Sequence, residues 1–434
     1  MLNLKEFQQR RGQLLQKMSA GIAIIPTAPE VIRNRDSHYP YRFDSSFYYL
    51  TGFKEPESVL VLVAGSEPKS ILFCRDKDIE REIWDGFRYG AEAAKEQFGF
   101  DEAHSINALD EVALKLLANQ PKLHFSLGES ASWDTRVTGW LNTLRTQARS
   151  GVSVPDDICD IRKLVDEMRL YKSPFEQEIM RSSANIAAAA HNRAMQFTKP
   201  HMMEYEVEAE FLHEFYRKGA QAPAYTSIVA GGANACTLHY NANNAKLNDG
   251  DLLLIDAGCE LDGYASDITR TFPTNGKFSA AQKDVYKLVL AAQMAAIEKV
   301  NTNNHWNAPH DAALEVLIQG FIDLKLCKGG KDAVLESGAY RQFYMHRTGH
   351  WLGLDVHDVG EYKNKSGEWR MLEPNMTLTV EPGCYIRPAD NVPKAFWNIG
   401  IRIEDDVLVT QNGCEVLTKN AVKTVADIEA QMKR

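Results

Sequence analysis

The sequence lacks paired cysteines. Its seven, Cys74, Cys159, Cys236, Cys259, Cys327, Cys384 and Cys414, are odd in number, scattered, and never spaced as a CxxC pair. That argues against both a disulfide framework and a structural zinc ribbon. Long apolar runs are also missing. The longest, such as Val59 to Ala64, are strand-sized and far too short to span a bilayer. The opening segment MLNLKEFQQRRGQLLQKM mixes charge throughout and has no apolar block of the signal-peptide kind. Nor is there a basic excess, because 49 Lys and Arg face 58 Asp and Glu for a net charge of −9. Broad nucleic-acid or anionic-membrane binding needs a positive footprint, so neither is expected as a partner. The expectation is a reduced, cytoplasmic protein.

Apolar residues make up 44% and charged residues 25% of the 434, a globular balance that leaves no room for wholesale disorder. The first third reads as mixed α/β. Short apolar runs at 21–25, 59–63, 70–73 and 123–126 alternate with charged helical stretches such as 78–98. A helix start stands out at Ser173-Pro174-Phe175-Glu176, where Ser caps, Pro takes the first helical position and Glu reaches back. A second helix, 204–218, carries Val207, Phe211 and Phe215 on one stripe and ends at Gly219. Strands follow at 228–230, 252–257, 265–272, 378–381 and 401–409, interrupted by a helix at 280–300. The domain boundary is expected between residues 160 and 175, giving an N-terminal α/β domain over 1–170 and a second domain over 171–434.

The chemistry is concentrated in the second domain. Leu252 to Ile255 is an apolar run of a strand buried on both faces, and Asp256 ends it. A turn at Leu261-Asp262-Gly263 leads to a second strand with Asp267. If the hairpin is centred midway between the two aspartates, their Cβ atoms lie about 4.5–5.5 Å apart. A protonated carboxylate, a basic neighbour or a metal must then answer the repulsion. The alternative is that Asp262-Gly263 sets another register and both aspartates are ordinary polar positions. His346, His350 and His357 crowd into HRTGHWLGLDVHDVG, with Asp355 and Asp358 among them. Glu381 ends the run Leu378-Thr379-Val380 before a sharp turn expected at Pro382-Gly383. Strand alternation around Glu404 puts Arg402 on its face and Ile401 and Ile403 on the other. Four carboxylates and an imidazole suit hard or borderline divalent ions, and their charge suits two ions holding a hydroxide between them.

In this order and in the motifs IDAG, SDITRTF, HRTGHWLGLDVHD, TVEPG and GIRIEDD, Asp256, Asp267, His350, Glu381 and Glu404 resemble the metal signature of the pita-bread metallopeptidases. That family includes methionine aminopeptidase, prolidase and aminopeptidase P. The stretch from Arg33 to Leu62, RNRDSHYPYRFDSSFYYLTGFKEPESVLVL, resembles the N-terminal domain of bacterial Xaa-Pro aminopeptidase, so the likeness spans nearly the whole chain. It implies an α+β fold in which a C-terminal pita-bread domain, a curved antiparallel sheet covered by helices, follows the mixed α/β domain. The implied activity is a metal-dependent exopeptidase that removes the N-terminal residue from peptides with proline second. Two divalent ions, Mn²⁺ first with Co²⁺, Zn²⁺, Fe²⁺ and Mg²⁺ as alternatives, would be held by Asp256 on one ion and by His350 and Glu381 on the other. Asp267 and Glu404 would bridge.

The resemblance further gives His239 and His357 places near the scissile peptide and His346 the proline side; the mechanism expected has Glu381 transfer the proton and Tyr385 join His346 at the proline wall. Arg402 matches a buttressing arginine. Arg347 departs from relatives, which often carry a small or apolar residue there. Trp84 reads either as a core residue or as the position where a neighbouring subunit approaches the site. The partners implied are proline-containing peptides and further copies of the chain, in a dimer or tetramer. The rivals are a prolidase restricted to Xaa-Pro dipeptides, a metal-free creatinase-like enzyme, which would have lost ligands present here, and a non-catalytic pita-bread module.

Overall fold

The computed structural model of the chain describes residues 3–433. The chain divides into two compact units, Met1–Arg169 and Leu170–Arg434.

The first unit is built on a six-stranded mixed sheet. Its edge-to-edge order is Glu102–Ser105, Lys69–Cys74, Val59–Ala64, Gly21–Pro26, Lys122–His124 and Asp157–Cys159. Val59–Ala64 runs antiparallel to both of its neighbours, while the outer pairs are parallel. Ile22, Ile24, Val61, Ile71 and Phe73 pack one face against the helices Leu109–Leu117 and Ala131–Thr146 through Leu117, Trp140 and Leu141. The four apolar runs read from the sequence each hold a strand here, the last ending at His124. The charged helical stretch read over 78–98 consists of two helices, Ile79–Asp85 and Gly90–Phe98. Gly86, at φ +85°, ends the first of them. Trp84 is 83% exposed, so it is not a core residue.

In the second unit the helix Pro174–Phe197 opens with a complete capping box between Ser173 and Glu176. Glu176 is buried, and its other oxygen accepts the hydroxyl of Tyr264 at 2.9 Å, which ties the helix start to the aspartate hairpin. Val207, Phe211 and Phe215 bury the stripe of the helix Glu204–Arg217. The helices Ala280–Glu298 and Ala308–Asp323 cover the same core. Among the described residues the strands of this unit pair antiparallel, as in a pita-bread domain. Leu252–Asp256 lies between Ile228–Gly231 and Thr269–Pro273. Its Leu252, Leu253 and Ile255 face the main core and Leu254 a smaller one with Tyr385, so the run is buried on both faces.

Two details place functional side chains: the hairpin register, which the sequence left open, and the course of the chain at Pro382-Gly383, which differs from the turn expected there. The turn is Asp262-Gly263 with both residues at positive φ, 48° and 85°. That is the backbone of a two-residue hairpin turn whose twist suits the strands. The hairpin is therefore centred between those two residues, and Asp256 pairs with Thr269, not with Asp267. Pro382-Gly383 does not reverse the chain either. Thr377–Val380 ends, the chain steps across, and Gly383–Ile386 continues with a new partner. The facing segment breaks at the same level, between Ile399–Arg402 and Asp405–Thr410. Val380 pairs with Asp405 and Gly383 with Arg402, so this register sets Glu381 opposite Glu404 in the gap.

Candidate metal centre

The gap frees the backbone around the two glutamates for other partners. Glu404 N–H donates to the carbonyl of Thr269 at 3.1 Å, and Glu381 N–H to that of Thr348 at 2.8 Å. The first bond brings Glu404 to the aspartate hairpin and the second brings Glu381 to the histidine segment. His350 N–H donates to Thr379 Oγ1 at 3.1 Å, and Thr379 N–H to the His350 carbonyl at 3.0 Å. Asp267, His350 and Glu404 consequently each offer a ligand atom within 4.8 Å of the others. Glu381 Oε1 lies 3.7 Å from His350 Nε2, and Asp267 Oδ2 lies 3.4 Å from it.

Asp256 joins through two neighbours. Arg402 Nη2 donates to its Oδ2 at 2.6 Å, and the Tyr225 hydroxyl is 2.5 Å from its Oδ1. That same hydroxyl also contacts Asp267 Oδ1. The two aspartates thus meet at one phenol although they do not face each other in the ladder. Tyr225 carried no motif and was not read from the sequence; its only signal was a tyrosine ahead of the Ile228–Gly231 strand.

The electrostatics test whether these donors suit cations. A phenol has a single proton, so it can satisfy only one of two carboxylates. His350 Nδ1 sits 2.9 Å from the Trp351 carbonyl. That bond assigns the proton to Nδ1 and turns the Nε2 lone pair toward carboxylate oxygens. Protein groups alone answer this with protons. Burial, and then the field of Asp256, raises Asp267. Burial, with the Asp267, Glu381 and Asp256 charges, holds Glu404 well above its usual range. Burial pushes Glu381 up to about 7. For His350 burial opposes protonation, yet the hydrogen bond to Asp267 and the charge of Glu381 lift it to about 9. Oxygen-rich ligands with one imidazole, crowded until protons are needed, form a donor set for hard or borderline divalent ions.

Of the other predicted residues, Arg402, His346 and His357 adjoin this cluster. Arg402 is buried, and its Nε and Nη1 donate to Thr269 Oγ1 and the Tyr385 hydroxyl, each at 3.0 Å. Tyr385 in turn lies 2.9 Å from His346 Nε2, while His346 Nδ1 lies 2.7 Å from the Arg347 carbonyl. The carbonyl can only accept, so His346 is the Nδ1–H tautomer and takes the phenol proton at Nε2. Burial and then the Arg402 charge push its pKa down to about 3, so it is neutral. His357 and His239 are exposed. The His357 ring centroid stands 4.3 Å from that of His350. Burial and the nearby His350 and His239 lower its pKa. Asp358 pairs with buried Lys172 at 2.9 Å. Arg347 is exposed, bonds Asn307, and lies 5.3 Å over the Trp369 ring.

The pattern of metallopeptidase family M24 matches residues 178–411, more than half of the chain. The chain belongs to metallopeptidase family M24. Residues 7–124 match the aminopeptidase P N-terminal domain, which places this M24 protein in the aminopeptidase P branch. It is 45% identical to the Xaa-Pro aminopeptidase of Escherichia coli over 441 residues, covering 99% of this chain and 98% of that one. The structure of Pseudomonas aeruginosa aminopeptidase PepP superimposes with a TM-score of 0.97 at 50% identity, over 99% of this chain and 98% of the other. Zn-substituted Escherichia coli aminopeptidase P in complex with product does so at 0.97 and 44%, with the same coverage. This M24 chain is a metallo-exopeptidase, a hydrolase of a family that works with divalent metal ions. Among its described residues no helix is long and apolar enough to cross a membrane.

Proposed function

We propose that the chain is an Xaa-Pro aminopeptidase, removing the N-terminal residue from peptides with proline second at a dinuclear metal site in the 171–434 domain, which follows an aminopeptidase P-type domain over 1–170 in the chain. The observation that carries this is the convergence of Asp256, Asp267, His350, Glu381 and Glu404, joined to likeness along the whole chain to enzymes of that name. Asp256 would hold one ion and His350 with Glu381 the other, with Asp267 and Glu404 shared. Two divalent ions there, Mn²⁺ by preference, would supply hydroxide at neutral pH by lowering the pKa of water from about 15.7 to about 7.

The protein's own groups do the rest. His239 and His357, both exposed, steady the oxygen of the scissile carbonyl as charge develops on it. Glu381 takes a proton on its carboxylate and passes it to the prolyl nitrogen. That nitrogen is tertiary and leaves only when protonated. His346 presents a neutral ring toward the proline side, fixed between the Arg347 carbonyl and Tyr385. Arg402 holds Tyr385 and Asp256 at once, so it locks the proline wall to the metal ligands.

The proposal extends to a cytoplasmic homo-oligomer, dimer or tetramer. Ile79, Ile83, Trp84 and Phe87 stand 74%, 79%, 83% and 63% exposed around one helix, an apolar surface that suits self-association.

The test is metal analysis of the purified protein, followed by cleavage of an Xaa-Pro-Xaa tripeptide after chelation and after adding back Mn²⁺, Co²⁺ or Zn²⁺. Chelation and Glu404→Ala should each abolish release of the first residue. Full turnover by metal-free protein, or cleavage of Xaa-Pro dipeptides only, overturns the assignment.

A further inference from the structure

The helix Glu204–Arg217 begins with a glutamate that its position does not require. Glu206, two residues on, already completes the cap by accepting the Met203 N–H at 2.7 Å. An acidic residue in a first helical turn ordinarily faces water and the helix dipole. Glu204 is instead fully buried. A buried carboxylate is costly unless hydrogen bonds saturate it, and this one is saturated. Its Oε1 accepts Gly231 N–H at 2.8 Å and Asn234 Nδ2 at 3.0 Å. Its Oε2 accepts the Tyr240 hydroxyl at 2.7 Å and Ala245 N–H at 2.8 Å. The Glu204 backbone N–H adds a bond to the Ala245 carbonyl at 3.0 Å.

These four donors are the two ends and the middle of one arc. Gly231 closes the strand Ile228–Gly231, Asn234 lies in the short helical turn Gly232–Cys236, and Ala245 ends the exposed loop. Tyr240 adjoins His239. Among the described residues the His239 ring makes no hydrogen bond of its own, so its place follows the backbone of the arc. We infer that Glu204 is a positioning residue for peptide cleavage, acting through Tyr240 and the arc to hold His239 in place. This rests on the proposed role of His239 at the scissile peptide.

Glu204→Gln keeps the shape of the side chain but turns an amide N–H₂ toward either the Ala245 N–H or the Gly231 N–H. Tyr240→Phe deletes only the bond beside His239. Both variants are compared with wild type as Mn²⁺-loaded full-length protein on an Xaa-Pro-Xaa tripeptide, each alone and combined with His239→Ala. Glu204→Gln is expected to lower kcat by about 10- to 100-fold with metal content unchanged, and Tyr240→Phe to lower it less. In the His239→Ala background each should add less than about twofold, because residues acting through one group are not additive. Wild-type turnover by Glu204→Gln, or losses that multiply undiminished on His239→Ala, overturns the positioning role and leaves the proposed function standing. Wild-type turnover by His239→Ala itself overturns the role of His239 and this inference with it.

Discussion

Replacing Arg402 with Lys keeps the buried positive charge and removes the fork. Arginine reaches three partners in three directions, Thr269 and Tyr385 at 3.0 Å each and Asp256 at 2.6 Å. A lysine ammonium is one point on a flexible stem and cannot span them. If it settles on Asp256, the Tyr385 hydroxyl loses its donor, and the 2.9 Å contact that fixes His346 loses its support. If it settles on Tyr385, the Asp256 carboxylate swings free. Hydrogen bonds to charged groups contribute about 1.5–3 kcal/mol each, so the loss is set at about 2–4 kcal/mol. That corresponds to a fall of about 30- to 1,000-fold in kcat/KM. The assay is steady-state hydrolysis of an Xaa-Pro-Xaa tripeptide by metal-loaded protein, with metal content and thermal unfolding as controls. A folded, metal-loaded Arg402→Lys variant within about threefold of wild type would refute the reasoning, because charge alone would then suffice.

Two further predictions concern the surroundings of the site. Asp405 is fully buried and accepts from Arg270, Gln293 and Thr418 at 2.7 Å each and from Lys423 at 2.6 Å. Asp405→Asn should therefore cost about 3–5 kcal/mol, read as a Tm lowered by about 6–20 °C. Burial alone would raise the Asp405 carboxyl, but Arg270 and Lys423 hold it far below its ordinary 3.8. Acid thus protonates the unfolded chain first. The wild-type advantage is complete above about pH 4 and shrinks as pH falls below that; a gap unchanged at pH 3 contradicts the assignment. Tyr225→Phe removes the hydroxyl shared by Asp256 and Asp267 and should weaken metal retention against a chelator by about 10- to 100-fold. Retention equal to wild type would show that the phenol does not orient the ligands.

What the sequence determined by itself was local. The Ser173 cap, the apolar stripe of the second helix, the doubly buried run before Asp256 and the shared face of Arg402 and Glu404 follow from helix and strand periods and from capping chemistry. Those act over a few residues and survive any packing that keeps the core dry. The motif order around the five candidate ligands was legible for the same reason, since each motif is a short stretch of chain.

Tertiary structure decided what those stretches meet. Asp256 and Asp267 come together through Tyr225 and not through strand register. Glu381 and Glu404 face each other because the pairing register of two distant segments sets them opposite. Arg402 finds Asp256 across 146 residues, and the Glu204 carboxylate gathers donors up to 41 residues away. Such contacts depend on how sheets and helices stack. A burial pattern along the chain says which side chains leave water, and only the packed fold says which of them then share a cavity.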